Sequence, residues 1–188
     1  MNIDRLPADI VIAANRISDY VRETPLDFSS YFSELSGANV YLKLENLQHT
    51  GSFKLRGAFN KVLSLSQEER KAGCVTASSG NHGMAIAYAM NALGVSGVIF
   101  VPEHASLTKV DAIKRAGGEV RLFGTDGLDT ENHAREYALE HGLTYLSPYN
   151  DHQVIAGQGS CGVEVAAQLS QVDAVFVAVG GGGLISGV

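Results

Sequence analysis

The sequence predicts an α/β protein in which helices cover a parallel β-sheet. Short apolar runs of strand length alternate with longer helical patterns along the chain. Glycine or proline separates neighbouring segments, and 45% of the 188 residues are hydrophobic against 18% charged, a balance that allows a sizeable buried core. Alternation of this kind is typical of parallel strands that are connected by helices packed on the sheet.

The predicted strands are short apolar runs bounded by turn residues. There are six of them: Val40–Leu44, Cys74–Ala77, Val98–Val101, Glu119–Phe123, Thr144–Leu146 and Ala174–Val179. Beyond the last run the chain begins a helix without completing it. Because a terminal strand with half a helix leaves apolar surface uncovered, we expect the large domain to be incomplete in this chain.

Three helices are predicted between these strands. The segment Asn81–Leu93 is apolar on nearly every face, so it is expected to be buried and to end at Gly94. A second helix is expected over Leu107–Ala116, with Ser106 as N-cap and Gly117-Gly118 at its end. A third is expected over about Thr130–Glu140, capped by Asp129 and ended by Gly142.

Composition excludes several classes of function. The net charge of −6 argues against a nucleic-acid partner, which would require clustered Lys and Arg. No run approaches the roughly 20 apolar residues of a membrane helix, and the first ten residues lack the features of a signal peptide, so we expect a cytoplasmic protein without a membrane partner. Cys74 and Cys161 are expected to be core thiols, and the six histidines lack a shared spacing for a metal site.

The first motif with chemical content is Thr50-Gly51-Ser52-Phe53-Lys54-Leu55-Arg56-Gly57-Ala58, where a loop enters a helix. Lys54 lies between two apolar residues, and partial burial lowers the pKa of an amine because it disfavours the ammonium form. A neutral amine can attack an aldehyde. The alternative is a surface lysine whose aliphatic stem packs on its neighbours.

The second motif, Ala77-Ser78-Ser79-Gly80-Asn81-His82-Gly83, lies between a strand and the buried helix. Small hydroxyls and free backbone amides collect there at a helix N-terminus, which favours an anion such as a substrate carboxylate. The alternative is a capping turn that binds no ligand.

The third motif is Gly180-Gly181-Gly182-Gly183-Leu184. Successive glycines allow an oxyanion to approach the backbone closely, and their amides can form a concave anion-binding site. A phosphate is the expected ligand. The run matches neither the dinucleotide fingerprint nor a nucleotide P-loop. A glycine-rich turn without a ligand is the alternative.

Together the three motifs supply an amine, a carboxylate site and a phosphate site, the set that pyridoxal phosphate (PLP) chemistry requires.

In this order and spacing, S-F-K-L-R-G-A, S-S-G-N-H-G and G-G-G-G-L resemble the serine/threonine dehydratase and serine racemase family, which has the tryptophan-synthase β-subunit type of fold (PLP fold type II). The resemblance covers essentially the whole chain. It includes three further segments: Glu23-Thr24-Pro25-Leu26, Lys43-Leu44-Glu45-Asn46, and Gly157-Gln158-Gly159, which is expected before a fourth helix.

The resemblance implies a role for each site residue. Lys54 would bond covalently to PLP and later move protons, Phe53 would pack on the cofactor ring, and Asn81 would hydrogen-bond its 3-hydroxyl. The phosphate would be held by Gly180, Gly181, Gly182, Gly183 and Leu184, and the substrate carboxylate by Ser78, Ser79, Gly80, Asn81 and His82. In racemases of the family a serine at the place of Ser79 is the acid or base on the ring face opposite the lysine. For His82, hydrogen bonding near the carboxylate is favoured over proton transfer.

The resemblance also implies a domain plan, with residues 1–49 in a large domain, 50–149 in a small α/β domain, and 150–188 at the return to the large domain. The partner of the pyridine nitrogen and any divalent-cation site are expected outside these residues, and a homodimer is expected.

The implied reaction is β-elimination of L-threonine or L-serine to a 2-oxo acid and ammonia. Serine racemase activity is the alternative within the fold, and a catalytically incomplete cofactor-binding fragment is the alternative from another class. Cysteine synthase and threonine synthase are less favoured, because the loop has the dehydratase form S-S-G-N-H-G.

Overall fold

The computed structural model describes residues 3–188 of the chain. The helices within that range are α1 (Leu6–Ile17), α2 (Ser30–Ser36), α3 (Lys54–Leu63), α4 (Gln67–Ala72), α5 (Asn81–Leu93), α6 (Leu107–Arg115), α7 (Gly127–His141) and α8 (His152–Gln168), with short 3₁₀ turns at Ile3–Arg5 and Glu45–Leu47. The strands are β1 (Leu26–Phe28), β2 (Tyr41–Lys43), β3 (Cys74–Ala77), β4 (Gly97–Val101), β5 (Glu119–Leu122) and β6 (Thr144–Tyr145).

Four strands form the predicted parallel sheet, in the order β5-β4-β3-β6. Because all four run in the same direction, the segments that follow β3, β4 and β6 emerge at one edge of the sheet. Strands β1 and β2 form a separate antiparallel pair. The sequence indicated only β2 of this pair, since β1 is three residues long and its side chains are half-buried or exposed.

Both faces of the parallel sheet are covered, as its side-chain alternation requires. Ile99 and Val101 of β4 pack on one face with buried residues of α3, α5 and α6. Val98 and Phe100, which alternate with them, pack on the other face with α7. The nearly all-round apolar character of α5 is thereby explained, because this helix lies between the sheet and α3.

The helix α8 crosses α3 at two glycines that allow a close approach. A Cβ atom at Gly157 would lie 2.7 Å from the Arg56 carbonyl oxygen and from the Gly57 Cα atom, and one at Gly57 would collide with the Gln158 side chain. The segment Gly157-Gln158-Gly159 was expected before a helix, but it lies inside α8. Gly157, together with Gly57, allows α3, the helix that begins at Lys54, to approach α8 closely.

Several predicted boundaries are confirmed and others are corrected. Helix α5 has the predicted bounds, and left-handed glycines end α5 at Gly94 and α7 at Gly142. Helix α7 begins three residues earlier than predicted because Asp126, rather than Asp129, accepts the amides of residues 128 and 129. Ser106 occupies the predicted position before α6 without a side-chain capping bond, and α6 ends one residue early.

The predicted strand Ala174–Val179 is wrong. These residues are irregular in the structure, and Phe176 is 97% exposed. A parallel strand requires a neighbour that accepts and donates its ladder hydrogen bonds and layers that cover both of its faces. No strand within residues 3–188 pairs with this segment. Among the same residues, no helix has the length and apolar character needed to cross a bilayer.

Candidate functional site

Lys54 is the first residue of α3, and its amine lies at the edge of the sheet where β6 ends. Its Nζ atom donates to the Pro148 carbonyl oxygen at 2.7 Å and lies 5.4 Å from the centre of the Phe53 ring. In the described part of the chain no carboxylate forms an ion pair with it. Burial lowers the pKa of Lys54, and a carbonyl compensates for lost hydration less than a carboxylate would. The amine is therefore suited to react as a nucleophile.

The serine-rich loop follows β3 and leads directly into α5. The Ser78 amide donates to Phe100 of β4 at 3.1 Å, and the Ser78 hydroxyl accepts the Gly80 amide at 3.2 Å. The amides of residues 81–83 begin α5 and have no acceptor among the described residues. Gly83 allows the loop to fold tightly on the helix, since a Cβ atom there would collide with the Ser78 carbonyl. The loop thus has free amides and a helix dipole suited to an anion.

Ser78, Ser79 and Asn81 differ in exposure at this loop. The two serines are half-buried and, with Pro102, Gly127 and Thr130, line a small cavity of about 60 Å³ between the ends of β3 and β4 and the start of α7. Asn81 is exposed. All three lie where the sequence predicts them, at the carboxyl ends of the strands, which is where open α/β sheets bind ligands.

The His82 side chain points into the protein. Its Nε2 atom lies 3.2 Å from both the Thr76 hydroxyl and the Leu146 carbonyl oxygen. Because a carbonyl only accepts, Nε2 carries the proton, and Nδ1 is an unprotonated buried atom without a partner in the described structure. Burial lowers the pKa of His82 to about 4, against the bond to Leu146, which raises it, and the nearby Lys54 charge lowers it further.

The glycine run forms an irregular turn rather than the end of a strand. Gly182 has a φ of +85°, which favours glycine, while Gly181 and Gly183 lie against Tyr149 so closely that a Cβ at Gly181 would collide with its ring. The amides of residues 180–184 donate no hydrogen bond within the described structure, and a Cβ at Gly180 would meet open space. The turn therefore presents free backbone donors to an anion.

The segment after β6 connects the three motifs, and the sequence interpretation overlooked it. Leu146 accepts a hydrogen bond from His82, Pro148 accepts one from Lys54, and Tyr149 contacts the glycine turn. The position of this segment just after a predicted parallel strand was an available sequence signal, because strand ends at this edge are where ligands bind.

Arg56 was also overlooked as a site residue, although it is part of the lysine motif. It is fully buried and bonded to Glu45 and Glu164, which belong to the two other parts of the chain that flank α3. Buried Arg requires such partners because a buried charge without them is strongly unfavourable.

These groups fit PLP. The aldehyde requires an amine that loses its proton readily, which Lys54 provides, and the phosphate requires several donors, which the free amides of residues 180–184 provide. Tyr149 joins the two, because it follows the residue that accepts from Lys54 and packs on the glycine turn.

Comparison with known proteins agrees with this assignment. The model of a family described as "Pyridoxal-phosphate dependent enzyme" matches residues 17–188. The chain is 44% identical to an L-threonine ammonia-lyase of Thermotoga maritima over 180 residues, which are 96% of this chain and 45% of that protein.

Solved structures show the same similarity. A threonine deaminase of Solanum lycopersicum superposes with a TM-score of 0.93 and 40% identity over 98% of this chain and 51% of that one. A serine racemase of Dictyostelium discoideum has a TM-score of 0.89 and 42% identity over 96% of this chain and 59% of that one. The chain spans about half the length of the curated relatives it matches. With the amine, the free amides and the parallel sheet arranged as described, these matches show that the chain belongs to the family of pyridoxal-phosphate dependent enzymes and has fold type II.

Proposed function

We propose that the protein to which this chain belongs uses PLP to convert L-threonine or L-serine into a 2-oxo acid and ammonia by β-elimination of water. For threonine the products are 2-oxobutanoate and ammonia. The observation that carries the proposal is the state of Lys54, a partly buried amine that has no carboxylate partner among the described residues and donates to Pro148, in the segment that also contacts His82 and the glycine turn. The identity with threonine ammonia-lyase supports the choice of substrate.

Lys54, the glycine turn and the serine-rich loop would hold the cofactor and the substrate. Lys54 would bind the aldehyde carbon of PLP, residues 180–184 would bind the phosphate, and Phe53 and Asn81 would contact the ring and its hydroxyl. The amides at the start of α5, with Ser78 and Ser79, would bind the substrate carboxylate. PLP, when bound, supplies an electron sink that stabilises negative charge on the substrate Cα.

The residues of the chain contribute orientation and proton movement. The Pro148 carbonyl accepts one N–H of Lys54, which directs the amine and leaves its lone pair free. Once the amine is released it can take the Cα proton at Nζ, because its lowered pKa keeps a larger neutral fraction than an exposed lysine has at neutral pH. The buried, neutral His82 adds no charge that would raise the local potential.

Racemisation of serine is the second candidate, and the similarity to the Dictyostelium serine racemase supports it. It would require a second proton carrier on the opposite face of the substrate. Ser79 is the residue proposed for it, since its half-buried side chain lines the small cavity at the loop. D-serine formation that disappears in Ser79→Ala while pyruvate formation persists would assign this role.

The proposed function is tested on the protein made from its complete natural gene. Added PLP is expected to produce an absorbance band near the visible edge, and borohydride reduction is expected to place the label on the peptide that contains Lys54. Threonine is expected to yield equal amounts of ammonia and 2-oxobutanoate. Labelling without turnover would favour the cofactor-binding fragment, and absence of both would refute the proposal.

We also propose the domain division 1–49, 50–149 and 150–188, of which residues 1 and 2 lie outside the described structure. The packing of α1 on α8 supports a shared domain for the first and last ranges. Helix α3 contacts both α8 and α5, so it would form the connection between the domains. The homodimer stays a proposal from the family resemblance, and sedimentation of the natural protein is the test.

A further inference from the structure

A buried charged cluster lies on the side of α3 that faces away from the Lys54 amine. The Arg56 guanidinium donates to both oxygens of Glu45, from Nε at 2.9 Å and from Nη2 at 2.7 Å. It also donates to both oxygens of Glu164 on α8, from Nη1 at 2.5 Å and from Nη2 at 2.8 Å. Arg56 is thus held by two bidentate pairs whose planar geometry allows little rotation.

Two further residues complete the charged cluster. The Lys43 ammonium donates to Glu164 Oε2 and to the Thr24 carbonyl oxygen, both at 2.6 Å. The Thr24 hydroxyl donates to Glu45 Oε1 at 2.6 Å. Burial opposes ionisation of Glu164, but hydrogen bonds from Arg56 and Lys43 outweigh it and lower the pKa of that carboxyl. The cluster is therefore balanced, with two cations and two anions.

The cluster explains two segments that carry the family resemblance but have no place in the cofactor site. Thr24 belongs to Glu23-Thr24-Pro25-Leu26, and Lys43 and Glu45 belong to Lys43-Leu44-Glu45-Asn46. Both segments meet the first turn of α3 at Arg56. Within the described residues, neither segment forms a hydrogen bond with the Lys54 amine, which donates to Pro148.

Arg56 and Lys54 are two positions apart in the first turn of α3. At 3.6 residues per turn, such positions point about 200° apart around the helix axis. The side chain of Lys54 consequently extends toward Pro148, while that of Arg56 extends toward Glu45 and Glu164. The glycine crossing sets how closely α3 and α8 approach and requires Gly57 to face α8, whereas the pairs of Arg56 act on the first turn of α3, next to Lys54.

Stability alone is a poor reason for such a cluster, because well-packed apolar side chains often stabilise a buried position equally or better. An arginine also fixes orientation, because its planar, fork-shaped guanidinium donates paired hydrogen bonds in a fixed geometry. We propose that Arg56, held by Glu45 and Glu164, is a positioning residue that sets the rotation of α3 and thereby directs the Lys54 amine toward the cofactor. This inference rests on the proposed function of Lys54.

The experiment follows the rate at which PLP and borohydride label Lys54 in the complete natural protein, read by peptide mapping. The variants are Glu45→Gln, which removes a charge with little change of shape, and Arg56→Lys, which keeps the charge but loses the fork. The matched control is Arg121→Lys, whose pair with Glu119 is exposed. Labelling of Lys54 is expected to slow by about 10- to 100-fold in both variants, because a displacement of about 1 Å can have that effect, and to be unchanged in the control.

A merely structural role gives a different result. It would lower the midpoint of urea unfolding and leave the labelling rate of the folded variants at the wild-type value, which overturns the positioning role. Variants that both fail to fold would show the cluster to be a folding element and overturn it as well. If the wild-type protein itself is not labelled at Lys54, the proposed function fails and this inference fails with it, whereas wild-type labelling with unchanged rates in the variants overturns this inference alone.

Discussion

Two cationic residues in the first turn of α3 have opposite surroundings. Lys54 meets a backbone carbonyl and an aromatic ring, and burial lowers its pKa. Arg56 is buried more completely, yet the hydrogen bonds of Glu45 and Glu164 outweigh desolvation and its pKa is raised. The hydrogen-bond partner, more than the depth of burial, determines whether the pKa of a cationic side chain is raised or lowered.

Because of this difference in partners, Lys54 is suited to react and Arg56 is suited to hold α3 in place. A carbonyl can orient an amine while stabilising its charge less than a carboxylate would, which leaves the amine ready to react. Two carboxylates stabilise a guanidinium permanently, which makes it suitable only for holding structure. The same helical turn thereby presents a reactive group on one side and a fixed attachment on the other.

Removal of the Lys54 amine is expected to have the largest effect. In Lys54→Ala, turnover is expected to fall by about 1000-fold or more, because both the attachment of the cofactor and the proton carrier are lost. Ammonia release from threonine measures this. Lys114→Ala, which changes an exposed lysine, is the control and is expected to keep full activity. Full turnover and an intact yellow chromophore in Lys54→Ala would contradict the assignment of the site.

Removing the supporting side is expected to act on stability. Arg56→Met leaves Glu45 and Glu164 without their main partner, and losing one member of a buried pair costs about 3–5 kcal/mol. The free energy of unfolding in urea measures the loss. Arg121→Met, at an exposed pair, is expected to cost less than about 1 kcal/mol. Equal losses in the two variants would show that burial of the Arg56 cluster has no energetic consequence.

His82 is a third basic residue, and burial keeps it neutral. Its folded pKa of about 4 is below the unfolded value of 6.5, so the unfolded chain binds more protons between these values. Stability is therefore expected to be full above pH 6.5 and to fall as the pH decreases toward 4, by roughly 3 kcal/mol at most. Urea unfolding at several pH values measures this. In His82→Gln the pH-dependent part is expected to become smaller, and an unchanged slope would assign it to other groups.

The smallest expected effect concerns the glycine turn. A Cβ at Gly181 would collide with the Tyr149 ring, so Gly181→Ala is expected to displace the turn at a cost of about 1–3 kcal/mol and to weaken PLP binding by about 10-fold. Within the described residues a Cβ at Gly180 has no atom within 4 Å, so Gly180→Ala is expected to change the affinity less. Titration of the visible absorbance with PLP measures both. Equal affinities would show that Tyr149 does not shape the turn.

Part of this molecule could be predicted from the sequence because it depends on local patterns. Short apolar runs indicated four parallel strands, a longer apolar segment indicated α5, and glycines indicated the ends of two helices. The three motifs indicated an amine and two anion sites. These features depend on residues close together in the chain, where the side-chain pattern and the backbone preference point to the same structure.

Only the tertiary structure determined the partners of these groups. The acceptor of the Lys54 amine is 94 residues away in the chain, and Glu164 is 108 residues from Arg56. Local composition carries no information on such distant pairs, so the segment after β6 and the charged cluster were overlooked. The segment 174–179 shows the converse: its apolar pattern is typical of a strand, but a strand forms only where a neighbouring strand completes its hydrogen bonds.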